Sequence, residues 1–301
     1  MIKFGNPRCG LKLGPTHAAW VDVSKYWWGH SRRSAQQINL PPGLLRPSPG
    51  ERNITDEAAL LERLRPLVAS GPRRWSLRPI VLILPDLCVR SRLLELERLP
   101  GRKSERDALV RWRLDKEAFF PMAGTRVVSQ IVGPKSVLAI AIRETVLEQY
   151  EAVCRAAGLL AVDIDIAGFR LCNLSISLLP PKHTVAWLSL LDGAFSLIIL
   201  CDQCPAFIRT KVQAQATPAA ILQDLQQSLA YFNERVGSGE IRRLILVDEN
   251  VHSDLQQLLS EELGLEVIRP DWNQLPPKSR LPADDPGHVG MLAAAAGVFG
   301  A

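Results

Sequence analysis

The sequence predicts a duplicated α/β protein with a small α+β subdomain set into its first half. Three patterns in the 301 residues carry this reading. Two glycine-containing hairpins, around Gly14 and Gly193, each open a run of strands that passes into a helix and then a further strand. A strand–helix–strand–strand unit interrupts the first run. Apolar segments such as "PIVLILPD" are short and nearly continuous, the pattern of strands covered on both faces.

The first half is read from its hairpin onward. "GLKLGPTHAAWVDV", Gly10 to Val23, alternates on both sides of Gly14-Pro15-Thr16-His17, which predicts strand, tight turn and strand. "QQINLPPGLL" predicts a short strand stopped by Pro41-Pro42-Gly43. Thr55 and Asp56 offer an N-cap to a helix whose buried stripe is Leu61, Leu64, Leu67 and Val68, ended by Gly71-Pro72. "PIVLILPD" is the strand that follows.

Residues 87–143 then read as a unit of their own. "CVRSRLLELERL" alternates as a strand, and Pro100-Gly101 turns the chain. Ser104 with Asp107 three residues on resembles a capping box. Leu109, Trp112 and Phe119 or Phe120 are expected on the buried face of the helix, which Pro121 stops. "TRVVSQIVG" and "SVLAIAIR" are two more strands, so one helix packs on a small sheet.

The strongest helical periodicity comes next, in Val146, Leu147, Tyr150, Val153, Cys154 and Ala157, with Gly158 placed to terminate it. "LAVDIDIAG" is a strand leading to a helix from about Phe169 to Leu179. After Pro180-Pro181 the pattern restarts with strands that turn at Asp192-Gly193 and Asp202-Gln203. Thr217-Pro218 opens a helix with Ile221, Leu225, Leu229 and Phe232 facing inward. "IRRLILVDE", "DLQQLLSEELG" and "LEVIRP" give strand, helix, strand, and "HVGMLAAAAGVFG" reads as a buried Ala-rich helix. The expected division is residues 1–86 and 144–180 as the first half, 87–143 as the insert and 181–301 as the second half.

Composition excludes several classes. With 47% hydrophobic and 22% charged residues the chain is an ordinary globular one. The first twenty residues hold no long apolar core, so no export signal is expected there. The apolar run Val185 to Leu200 is interrupted by Asp192 and falls short of the roughly 20 residues that cross a bilayer. Six dispersed cysteines make no disulfide framework. Cys201 and Cys204 have no second ligand pair at zinc spacing and read as a hairpin turn with two thiols. Residues 1–113 carry net charge +11 and residues 114–301 net −6. The arginines of the basic half are dispersed and lack a stacking platform, so a nucleic-acid partner is not expected.

Three segments, in this order, resemble the type IV pilus assembly protein PilM family, a branch of the actin-like ATPase (duplicated ribonuclease H-like) fold. They are "LVRWRLDKEAFFP" at 109–121, "AIAIRETVLEQYEAVCRAAGLLAVDIDIAGFRL" at 139–171 and "ILQDLQQSLAYFNERVGSGEIRRLILV" at 221–247. The cytoplasmic domain of the type II secretion protein GspL is similar as well. The resemblance implies two actin-like halves around a cleft.

The departures from that family bear on function. Active members carry Asp two residues before each hairpin glycine. Here Lys12 precedes Gly14, and Leu191 precedes Gly193 with Asp192 displaced by one. The paired glycines of the adenosine loop are replaced by Asp248-Glu249-Asn250, whose side chains are expected to occupy the purine and ribose space. Metal and triphosphate need those carboxylates, because phosphoryl chemistry depends on charge neutralisation.

The implied function is therefore that of a non-catalytic adaptor, a pseudo-ATPase without cofactor or metal. It would be cytoplasmic and peripheral to the inner membrane, recruited by the cytoplasmic tail of a bitopic PilN-like partner. Trp112, Phe119, Phe120 and Pro121 are the candidate apolar wall for that tail. The alternatives are a GspL-like secretion component, or an ATP- and Mg-using enzyme of the same fold with Asp22, Asp165 and Asp192 as unusual metal ligands.

Overall fold

Gly14 N–H donates to the carbonyl of His17 at 2.9 Å and closes the first hairpin, as the alternation around it predicts. The computed structural model describes residues 7–25, 31–68, 77–117, 121–176, 184–213, 217–237, 239–250 and 252–272. The chain opens with β1 (Cys9–Leu13), β2 (His17–Lys25), β3 (Ser31–Asn39), α1 (Glu57–Val68) and β4 (Arg78–Leu84). It continues through β5 (Arg90–Glu95), α2 (Lys103–Lys116), β6 (Thr125–Ile131), β7 (Ser136–Arg143), α3 (Glu144–Ala156), β8 (Leu159–Ile166) and α4 (Ala167–Ile176). Last come β9 (Val185–Leu191), β10 (Ala194–Cys201), β11 (Cys204–Val212), α5 (Pro218–Arg235), β12 (Arg243–Asp248), α6 (Leu255–Leu263) and β13 (Glu266–Ile268).

The two halves repeat one sheet topology. The first sheet runs β3-β2-β1-β4-β8 and the second β11-β10-β9-β12-β13. In each, the three hairpin strands are antiparallel and the strands after the helices add in parallel. The chain separates into two compact units, one of residues 1–86, 147–179 and 270–301, the other of 87–146 and 180–269. Within the second unit β5 lies beside β11.

Burial follows from sequence in the central strands. All of β9 is buried, as are Ile80 to Leu84 of β4. Each such aliphatic side chain contributes about 1.5–3 kcal/mol of hydrophobic stabilisation. Asp56 caps α1 by accepting from Ala59 N–H at 2.9 Å, and Thr217 caps α5 by accepting from Ala220 N–H at 3.4 Å. The α1 stripe is Leu60, Leu64 and Leu67, with Leu60 in place of the expected Leu61.

Residues 90–143 form a separate antiparallel sheet, β5-β7-β6, with α2 on one face. Two local expectations are corrected there. The helix starts at Lys103 behind Arg102 with no side-chain cap, and Asp107 accepts from the Ser129 hydroxyl at 2.8 Å, so Ser104 and Asp107 form no capping box. The buried residues of α2 are Val110 and Leu114, packed with Leu94, Leu96, Val137 and Ala139. Trp112 is 53% exposed. It lies two residues from Val110, roughly 200° around the helix, and cannot share that face. Helix α4 spans Ala167–Ile176 and starts before the expected Phe169. Phe119, Phe120 and the Ala-rich stretch 288–300 lie outside the described residues.

Candidate functional site

The β1–β2 pairing sets Lys12 opposite Ala19 and buries its side chain completely. Its Nζ lies 3.1 Å from Nε2 of His17, which is itself buried at the end of the same hairpin. An ammonium group only donates, so Nε2 is the acceptor. The other ring nitrogen, Nδ1, lies 3.1 Å from the Thr16 hydroxyl. The position that carries a metal-facing carboxylate in active members of the resembling family thus holds a buried cation engaged with an imidazole. A cation cannot ligate Mg²⁺.

The second hairpin turns through Asp192 and Gly193 at φ 54° and 74°, the geometry of a tight type I′ turn. Asp192 is therefore a buried residue of the turn that the sequence predicts at Asp192-Gly193. Leu191, two before Gly193, is buried and pairs with Ala194.

Parallel pairing of β12 with β9 sets Asp248 opposite Leu190, and Glu249 N–H donates to the Leu190 carbonyl at 3.1 Å. That register carries the Glu249 side chain onto the hairpin, where Oε2 accepts from Asp192 N–H at 2.9 Å. A turn amide of the kind that can cradle an anion is thus held by the protein's own carboxylate.

Asp248 folds the loop after β12. Its buried carboxylate accepts from the backbone N–H of Asn250 at 3.1 Å and of His252 at 2.8 Å, and from His252 Nδ1 at 3.0 Å. Arg269 stands 3.5 Å from the same oxygen and donates to the His252 carbonyl at 3.0 Å. Two of the three side chains expected in the purine and ribose space, Asp248 and Glu249, make internal hydrogen bonds. Asp248 turns into its own loop and Glu249 onto the hairpin amide.

The remaining acids are committed to ion pairs. Asp22 pairs with Arg78 at 2.6 Å, and that guanidinium stacks 5.0 Å from the Trp20 ring. Asp165 pairs with Arg170, which also reaches Asp163 at 3.6 Å. Burial raises the Asp165 carboxyl above the ordinary range despite the opposing pull of Arg170. Asp165 does not cap α4. The acceptor for the first turn of α4 is the buried Asp86, which takes Gly168 N–H at 2.7 Å.

On the insert, Trp112 and Pro121 are exposed, and the Lys116 ammonium lies 5.7 Å from the Trp112 ring. Among the described residues β6 pairs only with β7, so its outer edge is open, and Val128 on it is 61% exposed. Sequence reasoning missed the roles of His17, Asp86 and Val128. The acid just after β4, Asp86, and the glycine second in α4, Gly168, were the available signals for that contact.

No protein-family model and no curated protein matches the sequence. Solved structures do match it. The chain is similar to a structure of the PilM-PilN type IV pilus biogenesis complex, at 20% identity and TM-score 0.73, over 97% of this chain and 98% of that one. It is similar to the cytoplasmic domain of EpsL, an inner-membrane component of the type II secretion system of Vibrio cholerae, at 11% identity and TM-score 0.53, over 97% and 94%. A Bacteroides thetaiotaomicron protein of actin-like ATPase fold and unknown function aligns at 12% identity and TM-score 0.57, over 97% and 98%. The fold is the actin-like one that the sequence predicts.

Proposed function

We propose that this protein is a non-catalytic adaptor of a type IV pilus assembly machine, positioned at the inner membrane by the cytoplasmic tail of a bitopic PilN-like partner. The observation that carries the reading is the Glu249 carboxylate on Asp192 N–H, which fills internally the kind of turn amide that otherwise receives a phosphate. Lys12, buried against His17 at the first hairpin, supports it, because it offers a metal no ligand atom. Likeness of fold to a protein solved together with PilN supports the choice of partner. Among the described residues no helix is long and apolar enough to cross a membrane, which is compatible with recruitment by a partner that has a span. The net +11 of residues 1–113 suits an anionic leaflet.

The partner's tail is placed on the insert. An extended peptide adds to an open sheet edge through backbone hydrogen bonds, and exposed apolar side chains beside it supply specificity. The edge of β6 with Val128, and Trp112 and Pro121 with the adjoining Phe119 and Phe120, are the proposed surface.

Isothermal calorimetry tests both parts. Neither wild type nor Lys12→Asp is expected to bind Mg·ATP, since the Lys12 change leaves Glu249 in place. Micromolar ATP affinity in the wild type would replace this reading with that of an ATP-using enzyme. A PilN-like tail peptide is expected to bind wild type and to bind Phe120→Ala more weakly at unchanged melting temperature. No binding of the tail to wild type would remove the partner assignment.

A further inference from the structure

Cys201 ends β10, Cys204 begins β11, and the two are register partners across the hairpin. Only Asp202 and Gln203 separate them, at φ 50° and 66°, a two-residue type I′ turn. Opposed residues of an antiparallel pair project to one face with Cα atoms about 4.5–5.5 Å apart. A disulfide spans Cα separations of about 4.4–6.8 Å. The backbone separation of this pair therefore lies within the range that a disulfide spans.

The two thiols also differ from the other four in access. Cys204 is exposed and Cys201 half-buried, packed at the rim of the second unit's core. Cys9, Cys88, Cys154 and Cys172 are buried. Burial pushes the thiols of Cys9 and Cys154 up to about 12, so they are poor nucleophiles. The Thr184 hydroxyl donates to Cys201 Sγ at 3.8 Å.

We propose that Cys201 and Cys204 are a reversible thiol–disulfide couple whose oxidant is a low-molecular-weight disulfide of the glutathione type. The Cys204 thiolate attacks one sulfur of that disulfide. Its S–S bond breaks, and one small thiolate leaves and takes up a proton. The Cys201 thiolate then attacks Sγ of Cys204 in the mixed disulfide and displaces the second small thiol. Two protein thiols become one protein disulfide, and one small disulfide becomes two small thiols. The new ring encloses a turn that backbone pairing already closes, so it constrains little additional chain. Exposed disulfides of this kind exchange readily in both directions.

The test is incubation of the folded full chain with glutathione disulfide, followed by alkylation and peptide mass mapping. The wild type is expected to lose two hydrogen atoms, with Cys201 linked to Cys204, and to regain them in dithiothreitol. Cys201→Ser is expected to retain one glutathione on Cys204, and Cys204→Ser to lose the reaction. An unchanged melting temperature in both variants excludes unfolding as the cause. A wild type that stops at the mixed disulfide, or one in which both thiols remain free, overturns the proposal.

Discussion

Glu249 and Asp192 stand 57 residues apart in sequence, yet the carboxylate of the first accepts the backbone N–H of the second at 2.9 Å. The contact joins the loop after β12 to the β9–β10 turn. It depends on the parallel register that sets Asp248 beside Leu190. A charge-assisted bond to a half-buried amide orders both loops at once.

Truncation of that carboxylate tests its structural worth. Glu249→Ala is expected to destabilise the protein by about 1–3 kcal/mol, the usual loss of a hydrogen bond to a charged group. Glu249→Gln keeps a neutral acceptor and is expected to lose less. Urea unfolding midpoints of the three proteins check the order. Equal midpoints would show that the contact contributes nothing to stability.

Helix α2 offers a contrast between exposed and buried apolar residues. Leu114→Ala removes a wholly buried side chain and is expected to lose about 2–5 kcal/mol. Trp112→Ala, at 53% exposure, is expected to shift the melting temperature little while weakening the tail peptide. Thermal melts beside peptide titration separate the two effects. A large stability loss in Trp112→Ala would return that residue to the core.

These two cases mark what was legible in the sequence. The hairpins, the caps at Asp56 and Thr217 and the strand β4 are local patterns, each fixed within a dozen residues, and each was read correctly. The face of α2 was legible only in part: Leu109 packs against the small core, but Trp112, three residues on, does not, and Val110 with Leu114 makes as regular an i, i+4 stripe. Which stripe is buried depends on where the small sheet lies, and that is tertiary information. The altered residues at the hairpins and the loop after β12 were visible one by one. Their engagement was not, since the Glu249–Asp192 contact exists only once β12 and β9 are in register.

Buried thiols make the alkaline side of the stability profile specific. Burial is the main cause that raises Cys154 from 9.0 to about 12, with Glu151 adding and Arg155 opposing. Between those values the folded chain holds a proton that the unfolded chain has released. This contribution is therefore complete below about pH 9 and is lost as pH rises toward 12, at up to about 1.4 kcal/mol per pH unit. Cys154→Ala lacks that slope. Its stability deficit relative to wild type is expected to shrink as the pH is raised from 8 to 11 in urea titrations. A constant deficit would mean that Cys154 does not titrate in this manner.

Asp86 and Gly168 give the sharpest steric test, because the fit between them admits no side chain. Asp86 lies in the 3-10 turn after β4, Asp86–Cys88, and its carboxylate takes Gly168 N–H in the first turn of α4 at 2.7 Å. A Cβ on Gly168 would stand 2.2 Å from Asp86 Oδ2 and 2.8 Å from its Cγ, closer than real contacts allow. Gly168→Ala must therefore push the carboxylate away from the amide it serves, combining a clash with the loss of the helix-end acceptor. Overpacking of this kind costs about 1–3 kcal/mol, and the lost acceptor about 0.5–2 kcal/mol. Asp86→Ala loses the acceptor without introducing a clash. Once the carboxylate is gone, a methyl group at Gly168 has room and favours the helical backbone, so the double variant is expected to be less destabilised than the sum of the two single ones. A double-mutant cycle by urea unfolding measures that difference. Strict additivity would mean that the two residues do not meet as the geometry places them.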